Sequence, residues 1–201
     1  VLKKPIQVLL LYGGSEFGSE NLTLRYNCNK LLGALNKLSA EVEFCDLKDW
    51  FGKEYIGNAR PSKQVRPTLE LLRDKVLAAD VLILATPVHW RLPSMLMVAF
   101  IHLILAPLEW GGKDGNGYEC EGKIPAIITI FDDDGAVMVE STLNDILGHM
   151  ALDKPRWNIL HTNIKAFESE DNWQNEPEAL APILMQAGQE KRRRERRLLT
   201  S

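Results

Sequence analysis

Three stretches of the chain are short and almost continuously apolar: Gln7–Tyr12 (QVLLLY), Val81–Ala85 (VLILA) and Ile124–Phe131 (IPAIITIF). Runs of that length, bounded by polar or turn residues, mark parallel strands buried on both faces. Between them the apolar positions recur at helical spacing. Asn21–Leu38 sets Leu24, Cys28, Leu31, Leu35 and Leu38 on one stripe. Pro67–Ala79 does the same with Leu69, Leu72, Val76 and Leu77, and opens on a proline suited to a first helical turn. Leu92–Leu105 carries Met95, Leu96, Ala99, Phe100 and Leu103, and Ala136–Met150 reads as a further helix. Glu176–Arg197 closes the chain with Leu180, Ile183, Leu184 and Ala187 inward. Glu41–Cys45 alternates as a half-buried strand, and Trp157–Leu160 supplies a last one. Strands alternating with helices predict a doubly wound parallel sheet of five strands in a three-layer α/β arrangement. No linker or internal repeat divides residues 1–201, so one domain with a basic helical tail over 190–201 is expected.

Two connections break the pattern. Asp46–Lys63 scatters Trp50, Phe51, Tyr55 and Ile56 among charges, which implies a surface that packs either on a second subunit or on the chain's own core. A homodimer or tetramer is expected on that ground, with Trp110 adding to the aromatic content. Glu109–Gly122 is a glycine-rich loop; its Asp114–Glu119 stretch echoes a calcium loop but has Glu119 where the required glycine belongs.

Composition narrows the class. A hydrophobic share of 45% and a charged share of 25% are those of a globular domain, and no apolar run reaches the length of a membrane span. Val1–Gln7 lacks the apolar core of a signal peptide. Cys28, Cys45 and Cys120 are odd in number and scattered, so free buried thiols and a cytoplasmic location are expected. The net charge of −3 hides an asymmetry: Lys191–Arg197 has six basic residues against one acid, +5, leaving −8 on the rest. An acidic body argues against nucleic acid on the fold itself. The tail reads either as cations complementing a helix C-terminus or as a contact for nucleic acid or an anionic membrane.

Ligands of a doubly wound sheet bind at the carboxyl ends of its strands, near the point where strand order reverses. Three loops there carry chemistry. Gly14–Asn21 offers Ser15, Gly18, Ser19 and Asn21 ahead of a helix, which suits a phosphate held by backbone N–H groups; an ordinary turn capped by Ser19 or Asn21 explains the same residues. Thr86–Arg91 offers rigid Pro87 and the rings of His89 and Trp90, suited to a flat heterocycle. Phe131–Ala136 offers Asp132, Asp133, Asp134 and Gly135, where main chain can approach a ring edge. The three aspartates could also hold magnesium or serve as a receiver-type phospho-acceptor, but a receiver's acidic pair follows the first strand, where Gly13-Gly14 stands, and a solvated loop of helix-capping aspartates is the expected reading, with no metal.

These loops resemble, in order and spacing, those of the NADPH-dependent FMN reductase and iron–sulfur flavoprotein group of the flavodoxin-like fold. GGSEFGSEN is similar to that group's phosphate loop, ATPVHW with the helix ending AFIHLIL resembles its second loop and helix, and GKIPAIITIF resembles its third strand. The likeness covers most of Gln7–Met150. It implies that Ser15, Phe17, Gly18, Ser19, Asn21 and Leu22 hold the phosphate and ribityl chain of FMN. It also implies that Pro87, Val88, His89 and Trp90 lie against the isoalloxazine ring, and Asp132–Gly135 at its far edge. Phe17 replaces the group's basic residue, and Glu16 and Glu20 bring negative charge that Arg25, one helical turn on, offsets. His89 stands where the group has tyrosine; an imidazole titrates near neutral pH, so His89 is the expected proton donor. The cysteine motif of an iron–sulfur cluster is missing from Leu47–Lys63, so no cluster is expected. The implied activity is two-electron transfer from NAD(P)H through FMN to a small acceptor such as a quinone. An electron carrier without turnover, or a flavin-free scaffold, are the alternatives.

Overall fold

The computed structural model describes residues 4–14, 19–51, 66–110, 119–132, 135–150, 155, 158–163 and 177–200. Among them, five parallel strands run in the order β2-β1-β3-β5-β6 (β1 Gln7–Tyr12, β2 Glu41–Asp46, β3 Val81–His89, β5 Ile124–Phe131, β6 Ile159–Asn163). That is the flavodoxin-like order, which reverses between β1 and β3. A two-residue strand, β4 (Leu92–Pro93), folds back antiparallel on the end of β3. The predicted parallel sheet of five strands is therefore the one the chain forms.

The apolar runs are the central strands because both their faces are covered. Leu9, Leu11, Leu82, Leu84 and Ile127 point into one core, with α2 (Leu47–Phe51), α3 (Arg66–Ala78), α4 (Met95–Phe100), α5 (Ala106–Trp110) and α6 (Ala136–His149) over it. Val8, Leu10, Ile83, Ala85, Ala126 and Ile128 point into the other, under α1 (Ser19–Lys37) and α7 (Pro177–Thr200). Alternation along one strand thus feeds two layers of helices. β2 lies at the edge and keeps the half-exposed alternation that its sequence shows.

Several expectations change. β3 continues through Thr86–His89, whose residues keep pairing with β5 as far as Pro87 and with β4 beyond it, so Pro87 and Val88 belong to a strand and not to a loop. The helix expected over Leu92–Leu105 starts later, at Met95, because Ser94 caps it by accepting from the Met97 N–H at 3.2 Å. It then runs through a π-helical segment, Ile101–Leu105, into α5. β6 is displaced towards the C-terminus, to Ile159–Asn163; one face is buried through Leu160 and Thr162, a pattern that polar HTN conceals. α2 was not expected; Asp46 starts it by accepting from the Lys48 N–H at 3.2 Å. Phe51 is 2% exposed and half-buried Trp50 packs on the same core, which is the packing on the chain's own interior that the sequence also allows. Residues 52–65, 111–118 and 151–154, with Tyr55, Ile56 and most of the glycine-rich loop, lie outside the described residues.

Cys28, Cys45 and Cys120 are free and buried. Burial pushes the Cys45 and Cys120 thiols up to about 11, and Cys28 higher still. Among the described residues no helix is long and apolar enough to cross a membrane.

Candidate functional site at the carboxyl edge of the sheet

The site begins where β1 ends. The Gly13 N–H donates to the Ala85 carbonyl at 2.7 Å, stitching the end of β1 to β3 at the point of order reversal. A Cβ on Gly13 would sit 2.8 Å from Ser94 Oγ and 3.3 Å from Met97 Cβ. A Cβ on Gly14 would lie 2.6 Å from Tyr12 Cε1 and overlap its Cζ and Oη. Neither glycine has a left-handed φ. The sequence marked the pair for a sharp turn, but close approach is the reason that only glycine fits.

Tyr12 holds the other side of this junction. It is 2% exposed, and its hydroxyl donates to the Asn21 carbonyl at 2.9 Å, clipping the end of β1 to the first turn of α1 across residues 15–18. Burial, ahead of the nearby Cys28, pushes the phenol up to about 12. The Arg25 guanidinium lies 5.5 Å from the Tyr12 ring and 5.2 Å from that of Phe44, and 3.5 Å from Asp46. Its charge is therefore shared with the ends of β1 and β2, away from the role of offsetting Glu16 and Glu20 alone. Asn21 is buried, and Leu22 is 74% exposed in the same turn. Ser19 opens α1; Ser15, Glu16, Phe17 and Gly18 lie outside the described residues.

The second group comes from β3. Pro87 and Val88 bury their side chains, so what they present at the edge is backbone. Val88 pairs with Pro93 and His89 with Leu92, leaving Trp90 and Arg91 as a two-residue hairpin turn with φ of 55° and 64°. Hairpins of this type favour Asn and Gly at both places, because a side chain with positive φ is strained. Here the strained pair presents a tryptophan that is 94% exposed, beside an exposed His89. Strained backbone of this kind clusters at active sites and ligand clamps in proteins generally. Behind the tip, Thr86 Oγ1 accepts from the Ser94 N–H at 3.0 Å, tying the hairpin to the start of α4. Ser94 and Thr86 escaped the sequence reading, although Ser ahead of an apolar helix is a capping signal.

The third group follows β5. Asp132 is exposed and Gly135 buried at the start of α6, while Asp133 and Asp134 lie outside the described residues. Beneath this loop, Thr129 donates to Glu140 Oε1 at 2.5 Å, and His161 Nδ1 lies 3.6 Å from the same oxygen. Glu140 is 6% exposed, and this buried carboxylate was not foreseen. His102 and His149 are exposed on helices away from these groups.

The ends of β1, β3 and β5 thus bring together a helix N-terminus, two glycines with no room for side chains, two exposed rings and a buried glycine. This set fits a flat, phosphate-bearing cofactor. The family model described as NADPH-dependent FMN reductase matches residues 6–161, and the chain belongs to that family, a group of flavin-dependent oxidoreductases. Solved structures show the same fold at low identity. RosB, solved with a bound 8-demethyl-8-formylriboflavin-5'-phosphate intermediate, is 16% identical with a TM-score of 0.71, over 94% of this chain and 81% of its own. The apo form of an NADH:FMN oxidoreductase, EMOB, is 15% identical with a TM-score of 0.56, over 93% and 88%. A flavodoxin from the domain Archaea is 8% identical with a TM-score of 0.58, over 93% and 99%. No curated protein sequence matches the chain.

Proposed function

We propose that the protein binds FMN along the carboxyl ends of β1, β3 and β5 and passes electrons from NAD(P)H to a quinone or a similar small acceptor. The observation that carries this reading is the Gly13–Gly14 junction, packed against Tyr12 and Ser94 at the reversal of strand order and facing the start of α1. FMN, when bound, supplies the reversible two-electron chemistry. The chain's part is to hold and orient it. Backbone N–H groups at the start of α1, with Ser15, Phe17, Gly18, Ser19, Asn21 and Leu22, are assigned to the phosphate and ribityl end. Trp90 and His89 stand at the ring, and the backbone of 132–135 at its far edge. His89 is assigned the proton-donating role through its imidazole N–H.

A second subunit completes the site in this reading. Trp90, Leu92, Met95, Val137 and Met138 are all exposed large apolar side chains near the same edge, with Trp90 at 94% and Val137 at 70%. Apolar surface of that extent marks an interaction face, and a partner there excludes water from the hydride path. Buried free thiols support a cytoplasmic setting.

Equilibrium dialysis with FMN and steady-state NAD(P)H oxidation with a quinone test the proposal. The expected result is about one FMN per chain at micromolar affinity or better, with turnover above that of free FMN. FMN binding weaker than millimolar refutes the flavoprotein reading. Tight binding without turnover makes the protein an electron carrier.

A further inference from the structure

The basic run near the C-terminus is not a free tail, and its helix dipole does not account for it. α7 continues unbroken to Thr200, and of its arginines only Arg197 lies in the last turn, where the dipole acts. The first two cations of the run are structural. Arg192 donates to Asp80 Oδ2 at 2.5 Å and to the Pro5 carbonyl at 2.8 Å, and Lys191 stands 4.0 Å from Asp80 Oδ1. These contacts pin α7 to the amino ends of β1 and β3. Past that anchor Arg193, Arg194, Arg196, Arg197 and Leu198 are all exposed, with Leu198 at 77%.

Beside the exposed turns lies a groove of about 250 Å³. It is lined by Gln189, Arg192, Arg193 and Arg196 of α7, by Leu38–Ser39 after α1 and by exposed Pro5, with buried Ile6 and Met185 beneath. Lys4 adds a further cation at the rim. The groove is therefore apolar below and cationic at its mouth.

We propose that this basic end of α7, with the groove beside it, docks the protein on an anionic phospholipid surface. Charge complementarity selects an anionic partner, and the shape selects a planar one. The rest of the chain carries −8, so an extended polyanion crossing the helix would run on into like charge, whereas a headgroup plane touches only the amino edge. Among the described residues no aromatic ring lines the groove to stack a nucleobase. The apolar floor and exposed Leu198 suit the glycerol and upper acyl region that lies beneath charged headgroups. The face is a full strand length, roughly 25 Å, from the carboxyl edge, so docking leaves the flavin site open to water. The inference does not depend on the flavin reading.

Co-sedimentation of the full chain with vesicles of phosphatidylcholine, alone or with about 30% phosphatidylserine, tests it. The protein should pellet with the anionic vesicles only, and should be released as salt rises from about 0.1 M to about 0.5 M. Arg193→Gln with Arg196→Gln and Arg197→Gln should lower partitioning by roughly a hundredfold, at about fivefold for each cation. The triple variant should still unfold cooperatively on heating, and its FMN binding should not move. Leu38→Glu, which puts an acid on the groove wall, should act in the same direction. Equal binding to neutral vesicles, no binding to anionic ones, or full binding by the triple variant overturns the proposal. It is also overturned if single-stranded RNA at equal charge strips the protein from vesicles, or if the triple variant changes the oligomeric mass by light scattering. The partner would then be nucleic acid or a second copy of the chain.

Discussion

Replacing Gly14 by alanine should be among the most damaging single-methyl changes in the chain. The added Cβ would meet the Tyr12 phenol at Cε1, Cζ and Oη, and Tyr12 has little freedom to withdraw. It is 2% exposed, its hydroxyl is bonded to the Asn21 carbonyl, its ring lies 5.5 Å from that of Phe44, and Arg25 covers its face. Accommodation therefore breaks one buried hydrogen bond, worth about 1 kcal/mol, and overpacks a filled site, at about 1–3 kcal/mol. A total near 2–4 kcal/mol lowers Tm by roughly 4–16 °C in a chain of this size. Differential scanning fluorimetry and urea titration read it directly. The ring is an obstacle as well as the hydroxyl, since Cζ and Cε1 remain in phenylalanine. Tyr12→Phe should thus recover only the hydrogen-bond share, about 1 kcal/mol, in the double variant, whereas Tyr12→Leu should recover most of the Gly14→Ala loss in a double-mutant cycle. A Gly14→Ala protein within about 1 °C of the parent would refute the packing argument. So would additive losses for Gly14→Ala and Tyr12→Leu.

Two further outcomes follow from the same edge. Trp90→Asn with Arg91→Gly supplies residues that accept the positive φ of both hairpin positions, and should raise stability by about 1–3 kcal/mol while lowering NAD(P)H oxidation; unchanged stability would show that the turn is not strained. Tyr12 gives alkaline sensitivity: its folded pKa is raised from 10.0 to about 12, so its contribution is full below pH 10 and is lost as pH rises through about 12. Tyr12→Phe should flatten that limb of the stability curve, and an unchanged pH profile would count against the burial of the phenol.

The sequence by itself determined the layers. Apolar runs at Gln7–Tyr12, Val81–Ala85 and Ile124–Phe131 can only be central strands, because both faces must be covered, and the helical stripes between them supply the cover. It also placed three loops at one edge, since parallel strands joined by helices put every β-to-α connection on the same side. Tertiary structure decided what local pattern could not carry. Thr86–His89 looks like a loop next to Pro87, yet pairing with β5 and β4 keeps it in the strand. Trp50 and Phe51 among charges fit an interface or the core equally, and helix α2 packs them on the core, while the exposed apolar face is built from Trp90, Leu92, Met95, Val137 and Met138 of three separate elements. The Thr129–Glu140–His161 cluster joins β5, α6 and β6 across sequence gaps that no periodicity spans. Burial and pairing between distant segments are properties of the packed chain. A pattern read along one segment reports which side must be covered, and not which other segment covers it.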